Sequence, residues 1–440
     1  MPPALRRSIR LPHAAAIVVG IILGASIFIQ PSEIIRLVPS TSGALLVWLM
    51  AGLLTLCGAL VCAELAAAFP QTGGVYVFLK QIFSPALGFL WGWAMFWSAH
   101  SGIIAAIAVI LARYLAYFIP AGEVTIRLLA IAAIIFLSVI NYLGVRLGST
   151  VQLALTVVKV AALVLLVVLL FSFGAGAHHA LPAASRPGQI SITAYGLAIA
   201  AGLFAFGGWH MVTYSAGETQ DPERTLPRAL LWGTLIVTAC YMLINAAYQY
   251  VLPLDEVARS AHVAADASER VLGVRGGSVI AALVVLSALG GLNGIILAGP
   301  RVYYAMAQDG LIFSWMGAVH PRRHTPYLAI VAQGVWAAVL VATNSYRALF
   351  TRVVYTEWFC FALLAAGLFV LRSRGYRPVV LTRGYFFVAA TFIVAAVAIA
   401  LNQCLANPRD SAIGIGLILL GLPVYFFRNR FGAGTRSAQA

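Results

Sequence analysis

Charge is what this chain has least of. Only 9% of its 440 residues are Asp, Glu, Lys or Arg, where a soluble globular domain carries about 25%, and its mean hydropathy is +0.95. A soluble domain is thereby excluded, and lipid bilayer is the implied surrounding. Acid is scarcer still, with 13 Asp+Glu against 28 Lys+Arg and a net charge of +15. In a soluble protein that excess would suggest nucleic acid. Here basic loops on the inner face of a membrane account for it, so no nucleic-acid partner is implied. Five cysteines stand singly: Cys57, Cys62, Cys240 and Cys360 in apolar spans and Cys404 near a span end. No disulfide framework and no metal or redox motif follows from them. HExxH and GxSxG strings are also missing, which removes the common signatures of an intramembrane enzyme. The pair His178-His179, in a loop, is too little for a metal site. No cofactor is implied.

What the chain has instead is apolar runs of about 20 residues, the length that spans a bilayer as a helix. Hydropathy places about twelve of them, so an all-α integral membrane protein is expected. The first five are Ala14–Val38, Gly43–Phe69, Ala86–Ile119, Ile126–Leu143 and Thr150–Phe173. A second five run Ile192–Gly217, Ala229–Val251, Ser278–Met306, Tyr327–Thr343 and Val353–Leu371. Gly384–Leu405 and Ser411–Phe427 follow. Pro120-Ala121-Gly122, Pro182 to Gly188 and Asn407-Pro408 punctuate these runs as loops. The longest external connection, Pro253 to Arg275, has room for a short surface helix. The whole of 1–440 reads as one transmembrane domain. Arg6-Arg7-Ser8-Ile9-Arg10 imitates a signal peptide, but the apolar run behind it continues past signal length and reads as an uncleaved first span. With the N-terminus inside, Lys and Arg concentrate in the cytoplasmic loops, and Arg36, Arg113 and Lys159 are placed within spans. An even number of spans puts both termini in the cytoplasm. Plasma membrane, the inner membrane of a bacterium, is the expected location.

Two of the runs carry adjacent or closely spaced glycines: Gly20-Ile21-Ile22-Leu23-Gly24-Ala25-Ser26-Ile27-Phe28 in the first and Gly202-Leu203-Phe204-Ala205-Phe206-Gly207-Gly208-Trp209 in the sixth. Each glycine weakens a helix by about 1 kcal/mol relative to alanine. Lipid tolerates broken backbone only where it is buried or lines a cavity, and paired breaks in corresponding halves mark a transporter's binding site. The N–H groups that open the second half of the first helix, at Gly24, Ala25 and Ser26, form an anion site suited to a carboxylate. Free carbonyls at Phe206, Gly207 and Gly208 suit an ammonium. A zwitterion fits the pair better than a sugar or an inorganic ion. The plainer alternative for each cluster alone is close helix packing.

These residues bring a family into view. Gly24-Ala25-Ser26-Ile27-Phe28, Phe204-Ala205-Phe206-Gly207-Gly208-Trp209 and Asp221-Pro222-Glu223-Arg224-Thr225-Leu226-Pro227-Arg228-Ala229 occur in order. Asn293-Gly294, His320-Pro321 and Gly421-Leu422-Pro423-Val424-Tyr425-Phe426-Phe427 follow them. The ordered set resembles the L-type amino acid transporters of the amino acid–polyamine–organocation superfamily, over nearly the whole chain. The resemblance implies the leucine-transporter fold: two inverted five-helix repeats, here 14–173 and 192–371, plus two helices, 384–427. It implies sodium-independent transport of neutral L-amino acids by alternating access, often as an exchanger. By that likeness Ala25, Ser26 and Ile27 would present amides to the carboxylate, and Phe204, Ala205 and Gly207 would face the amino group. Phe204 would also gate, and Gly207 would leave room for a side chain. Ala25 stands where the family has serine, and His210 where it often has a small polar residue. Mammalian members join a glycoprotein partner through an external cysteine after the third span. Pro120 to Thr125 contains none, so no disulfide-linked heavy chain is expected.

Three intramembrane polar residues complete the expectations. Lys159 lies about 14 Å into the fifth span at 1.5 Å per residue, and an ionisable group at that depth is functional by default. The family's lysine here occupies the place of sodium in related symporters, and this one is expected to hold the first span against the fifth. Glu357 reads as an outer-end carboxylate, solvated or paired with Arg352, with a coupling role as the alternative. Asn293 needs a partner in a dry setting and is expected to tie its helix to the broken ones. Trp209 is expected to wall the pocket, His100 to be a hydrogen-bonded packing residue, and Glu64 and Glu218 to be solvated gate charges. The nearest rival function is a proton-coupled amino acid or amine transporter using Glu357 or Lys159. A receptor or scaffold would leave the paired breaks without a reason.

Overall fold

The computed structural model describes residues 5–28, 30–119, 121–174, 190–260, 262–273, 275–380 and 384–432, with side chains at all of these except 25, 346–356 and 429–432. Pro120, His178-His179 and the loop 182–188 lie outside the described residues.

The described chain is helical: α1 (Leu11–Ile22), α2 (Gln30–Leu37), α3 (Thr41–Ala68), α4 (Val75–Ile82), α5 (Pro85–Ala94), α6 (His100–Leu115), α7 (Glu123–Leu143), α8 (Val145–Phe173), α9 (Ile192–Ala205), α10 (Pro222–Val251), α11 (Leu254–Arg259), α12 (Val263–Leu272), α13 (Arg275–Ala298), α14 (Pro300–Gln308), α15 (Tyr327–Thr343), α16 (Tyr346–Ser373), α17 (Tyr385–Ala406), α18 (Pro408–Leu419) and α19 (Gly421–Gly432). Among the described residues nine helical segments are long and apolar enough to cross a membrane. Leu11–Ile22 and Tyr327–Thr343 are shorter apolar helices. Closed hydrogen bonding within each helix is what lets such a chain sit in lipid.

The centre of the bundle is α1, which packs against α8, α10, α13 and the 3-10 turn Trp209–Glu218. From Ile17 to Leu23 every α1-region apolar side chain is 5% exposed or less. A helix apolar all round belongs in a core. The opposite pattern holds on α7, where Leu128, Ile135 and Phe136 are exposed, as expected of a lipid-facing wall. A π turn at Met95–Ala99 joins α5 to α6.

Several span limits move. The motif Asp221–Ala229, which falls between the expected spans ending at Gly217 and starting at Ala229, is instead the start of α10: Asp221 takes φ 44° and Pro222 occupies the first helical turn, where a missing N–H is harmless. The 253–275 connection holds two helices, α11 and α12. Helix α16 begins at Tyr346, so Glu357 is eleven residues in, about 16 Å at 1.5 Å per residue. It is therefore a mid-helix residue, not an outer-end one. Its Oε1 is buried with no hydrogen-bond partner among the described residues, which corrects the solvated reading.

Glu64 and Glu218 also depart from the expected solvated state, at 1% and 0% exposure. Glu64 accepts the Tyr376 hydroxyl at 2.7 Å and the N–H groups of Val379 (2.7 Å) and Val380 (2.8 Å), fastening α3 to the segment after α16. Burial first, and then this carboxylate, raise the Tyr376 hydroxyl well above the usual phenol range. Glu218 is bound by Arg301, with Nε at 2.6 Å and Nη2 at 3.0 Å, and both side chains are fully buried. The Glu218 carbonyl accepts the N–H groups of Ser8 and Ile9 at 2.8 and 2.9 Å. The N-terminal segment is thus tied beneath the sixth span. Lys80 and Tyr76 close on Asp309 nearby, at 2.6 and 2.5 Å.

Candidate functional site

Both glycine clusters interrupt their helices. The first helix stops at Ile22, turns through Leu23 (φ −68°, ψ 63°) and resumes as the 3-10 turn Ala25–Phe28. The second stops at Ala205, and Gly208, at φ 93°, redirects the chain into Trp209–Glu218. Only glycine fits position 208: the conformation is left-handed, and a Cβ there would meet Ile21 Cγ2 at 2.4 Å. The two breaks therefore touch each other directly.

A broken helix leaves carbonyls without intrahelical donors, and here each is met from another helix. Tyr241 on α10 donates its hydroxyl to Ile22 O at 2.7 Å and reaches Ala205 O at 3.0 Å, one phenol spanning both breaks. Lys159 on α8 donates to Gly20 O (2.9 Å), Leu23 O (2.7 Å) and Ser287 O (3.1 Å). Ser287 Oγ on α13 donates to Leu23 O at 2.8 Å. At 1% exposure Lys159 does not snorkel. It fills a cage of oxygens, the ligand type a hard cation would want. The expected tie between the first and fifth spans is present as these contacts. Gly290 admits the ammonium: a Cβ there would stand 2.8 Å from Nζ.

Around this frame the predicted residues divide. Gly24 and Ser26 lie at the first break, and Ile27 is fully buried beside it; Ala25 contributes its backbone to the same turn. Phe204 is 41% exposed and Gly207 is open, so both line the accessible side of the second break. Ala205 supplies the carbonyl that Tyr241 binds. Phe206 turns away into the core, packing on Tyr241 and Trp48 with ring centroids 4.8 and 6.4 Å apart. Trp209 packs on Phe361 and Phe392 at 5.3 and 6.2 Å, which makes it part of the wall behind the break. His210 is buried behind it. Asn293 donates to Gly148 O (3.2 Å) and Gln152 Oε1 (2.9 Å) and accepts from Asn141 (2.9 Å). Gln152 in turn reaches Ala16 O. Asn293 thus ties α13 to α7 and α8, not directly to either broken helix, and reaches the first span only through Gln152. His100 meets the Tyr303 hydroxyl at 3.2 Å.

Sequence reasoning missed Tyr241 and Ser287. A buried phenol must find a partner, which is the one signal Tyr241 offered; its partners lie 219 and 36 residues away. Tyr241→Phe should remove the one hydroxyl donor that Ile22 O and Ala205 O share, at about 1–3 kcal/mol. Amino acid transport by that variant is expected to fall about tenfold or more. A wild-type rate in vesicles would remove Tyr241 from the site.

The family model for the amino acid permease matches residues 9–427. The chain belongs to the amino acid permease family. This permease is 31% identical over 438 residues to the serine/threonine exchanger SteT of Bacillus subtilis (strain 168), covering 96% of this chain and 97% of that one. It is 30% identical over 439 residues to the mouse Asc-type amino acid transporter 1, at 96% and 81% coverage. With the human cystine/glutamate transporter it shares 28% over 430 residues, at 96% and 85%. The residues matched by the family model include both breaks. It is a multi-pass membrane protein of the superfamily that its motifs resemble.

Proposed function

We propose that the permease is a sodium-independent exchanger of neutral L-amino acids working by alternating access. The observation that carries this reading is the pair of abutting helix breaks with the Lys159 ammonium already seated in the oxygen cage of the first. A zwitterion would place its carboxylate on the amides of residues 25–27 and its ammonium on the carbonyl side of the second break. The oxygens that could have bound sodium hold a cation from the protein itself. Full-length similarity to an exchanger supports exchange over net uptake. The repeats 14–173 and 192–371 would be the two halves that move against each other. Access would be from the side of Phe204 and Gly207 in this conformation, with the buried Glu218–Arg301 pair closing what would be the cytoplasmic side. The permease is read as a transporter and not an enzyme, in a bacterial plasma membrane with both termini inside, and without a disulfide-linked partner.

Proteoliposomes test this at equal pH on both sides. Labelled amino acids should enter strongly only when the vesicles are preloaded with unlabelled ones, and replacing sodium by choline should change nothing. Equal uptake into empty vesicles would overturn exchange, and a sodium requirement would overturn the role given to Lys159.

A further inference from the structure

Away from both breaks, α5, α16 and α18 enclose a cavity of about 340 Å³, inside the roughly 300–1,000 Å³ range of small-molecule sites. Leu79, Trp91 and Met95, each at 2% exposure or less, form its floor. Ile415 and Leu419 of α18, 39% and 48% exposed, form its mouth. Both lie in an apolar span, so the cavity opens on lipid and not on water. From α16 it takes Glu357, Cys360 and Leu363. These share one helix face and cover about 9 Å at 1.5 Å per residue.

An aromatic layer separates this cavity from the sixth-span break. Trp91 packs on His210 and Phe361, with ring centroids 5.8 and 5.9 Å apart. His210 is in turn ringed by Trp91, Trp209, Tyr214 and Phe361, all within 5.8 Å between centroids. No residue of either break is on the described lining.

That lining holds one carboxyl, on Glu357, and no Lys, Arg or His. Its Oε1 is buried without a hydrogen-bond partner among the described residues. A polar atom left so in an apolar interior favours whatever donates to it. The rest of the described wall is Leu, Ile, Ala, Met, Phe and Trp with one Cys, so a ligand needs one donor and must be apolar elsewhere. A sugar or a zwitterion fails that condition, since its further polar groups would meet hydrocarbon unpaired. An anion would be repelled by the carboxylate. An alcohol meets the condition, but an ammonium makes the stronger, charge-assisted bond to a carboxyl oxygen. The ring of Trp91 attracts a cation as well.

We propose that this cavity binds a lipophilic primary amine drawn from the bilayer, with the ammonium on Glu357 and the alkyl body between α5 and α18. The amine enters past Ile415 and Leu419 and occupies the helix wall, not the breaks. The site goes beyond the exchange reading and does not depend on it.

Photolabelling of the full-length permease in lipid vesicles tests the site without any transport step. The probe is decylamine carrying a diazirine in its chain, used beside the same chain ending in an alcohol or a carboxylate. Labelled peptides are mapped by mass spectrometry. The amine should label peptides holding Trp91, Cys360 and Leu419, and excess unlabelled decylamine should suppress that labelling at least about fivefold. Glu357→Gln should lower it about tenfold through loss of one charge-assisted bond, while labelling by the alcohol changes less than about twofold. Leu419→Trp, which fills the mouth and leaves Glu357 in place, should lower labelling by both probes and serves if the first variant does not fold. Equal labelling by amine, alcohol and carboxylate would overturn the proposal, as would full amine labelling in Glu357→Gln. Labelling spread over lipid-facing residues such as Leu128 and Phe136, and not suppressed by unlabelled amine, would show partition into the bilayer alone and overturn it too.

Discussion

Lys159→Met is expected to lower amino acid exchange by about 100-fold or more. The variant keeps most of the aliphatic stem and removes the ammonium that bonds Gly20 O, Leu23 O and Ser287 O. Leu23 O keeps the Ser287 hydroxyl, but Gly20 O lies where the helix is about to stop and loses its partner. Each buried oxygen left unpaired costs about 1–3 kcal/mol. A total near 3 kcal/mol against the closed break corresponds to about two powers of ten. The measurement is counterflow in preloaded vesicles, run beside thermal unfolding of the same sample. Near-wild-type exchange would show that the ammonium is dispensable and sink the account of the first break. Loss of exchange with an unfolding temperature close to wild type would show that the group acts on the cycle and not on folding. Repeating the assay with sodium and with choline adds a second readout, because the vacated cage is lined by oxygens that a small cation favours.

The second large effect concerns the fully buried pair Glu218–Arg301. Arg301→Met should destabilise the protein by about 3–5 kcal/mol, since it leaves a carboxylate buried and unpaired. Adding Glu218→Leu to the same chain should restore most of that stability, because a well-packed apolar pair commonly replaces a buried ion pair at little cost. Transport should separate from stability. The pair sits at the end of the sixth span, and the carbonyl of Glu218 also holds Ser8 and Ile9, so it must part for that end of the bundle to open. Charged groups can re-solvate when that end opens to water, whereas an apolar pair resists it. The double variant is therefore expected to be stable yet to exchange at least about tenfold more slowly. Wild-type exchange by the double variant would make the pair a structural fastener only. Continued instability of the double variant would show that the apolar pair does not pack in the space the charges fill.

The two breaks could be read from the chain because their cause is local. Adjacent glycines inside an apolar run, with Gly208 needing a left-handed turn, interrupt a helix whatever surrounds them. Membrane residence was equally plain, since hydropathy acts on each run by itself. Lys159 stood out because a lone charge in a long apolar run is visible in one dimension. Helix ends were less legible: α10 starts between two expected spans, since Pro222 favours a first turn that hydropathy does not detect.

What the linear chain could not contain was partnership. The donors that complete the breaks come from 219 residues away at Tyr241 and 264 away at Ser287. Glu218 finds Arg301 83 residues on. Burial converts these from ordinary polar residues into fixed parts of a site, and burial depends on which helices meet. Glu357 shows the same limit, because a helix that starts at Tyr346 sets it a full 11 residues deep and out of the water it was expected to face. His210 shows it most plainly: its four ring neighbours come from three segments of chain. By itself the sequence determined that the protein lives in a membrane and where two of its helices break, because hydropathy and glycine act locally. Only the packing of the helices decided what fills each break and which carboxylates are dry, because those are properties of contacts between distant residues.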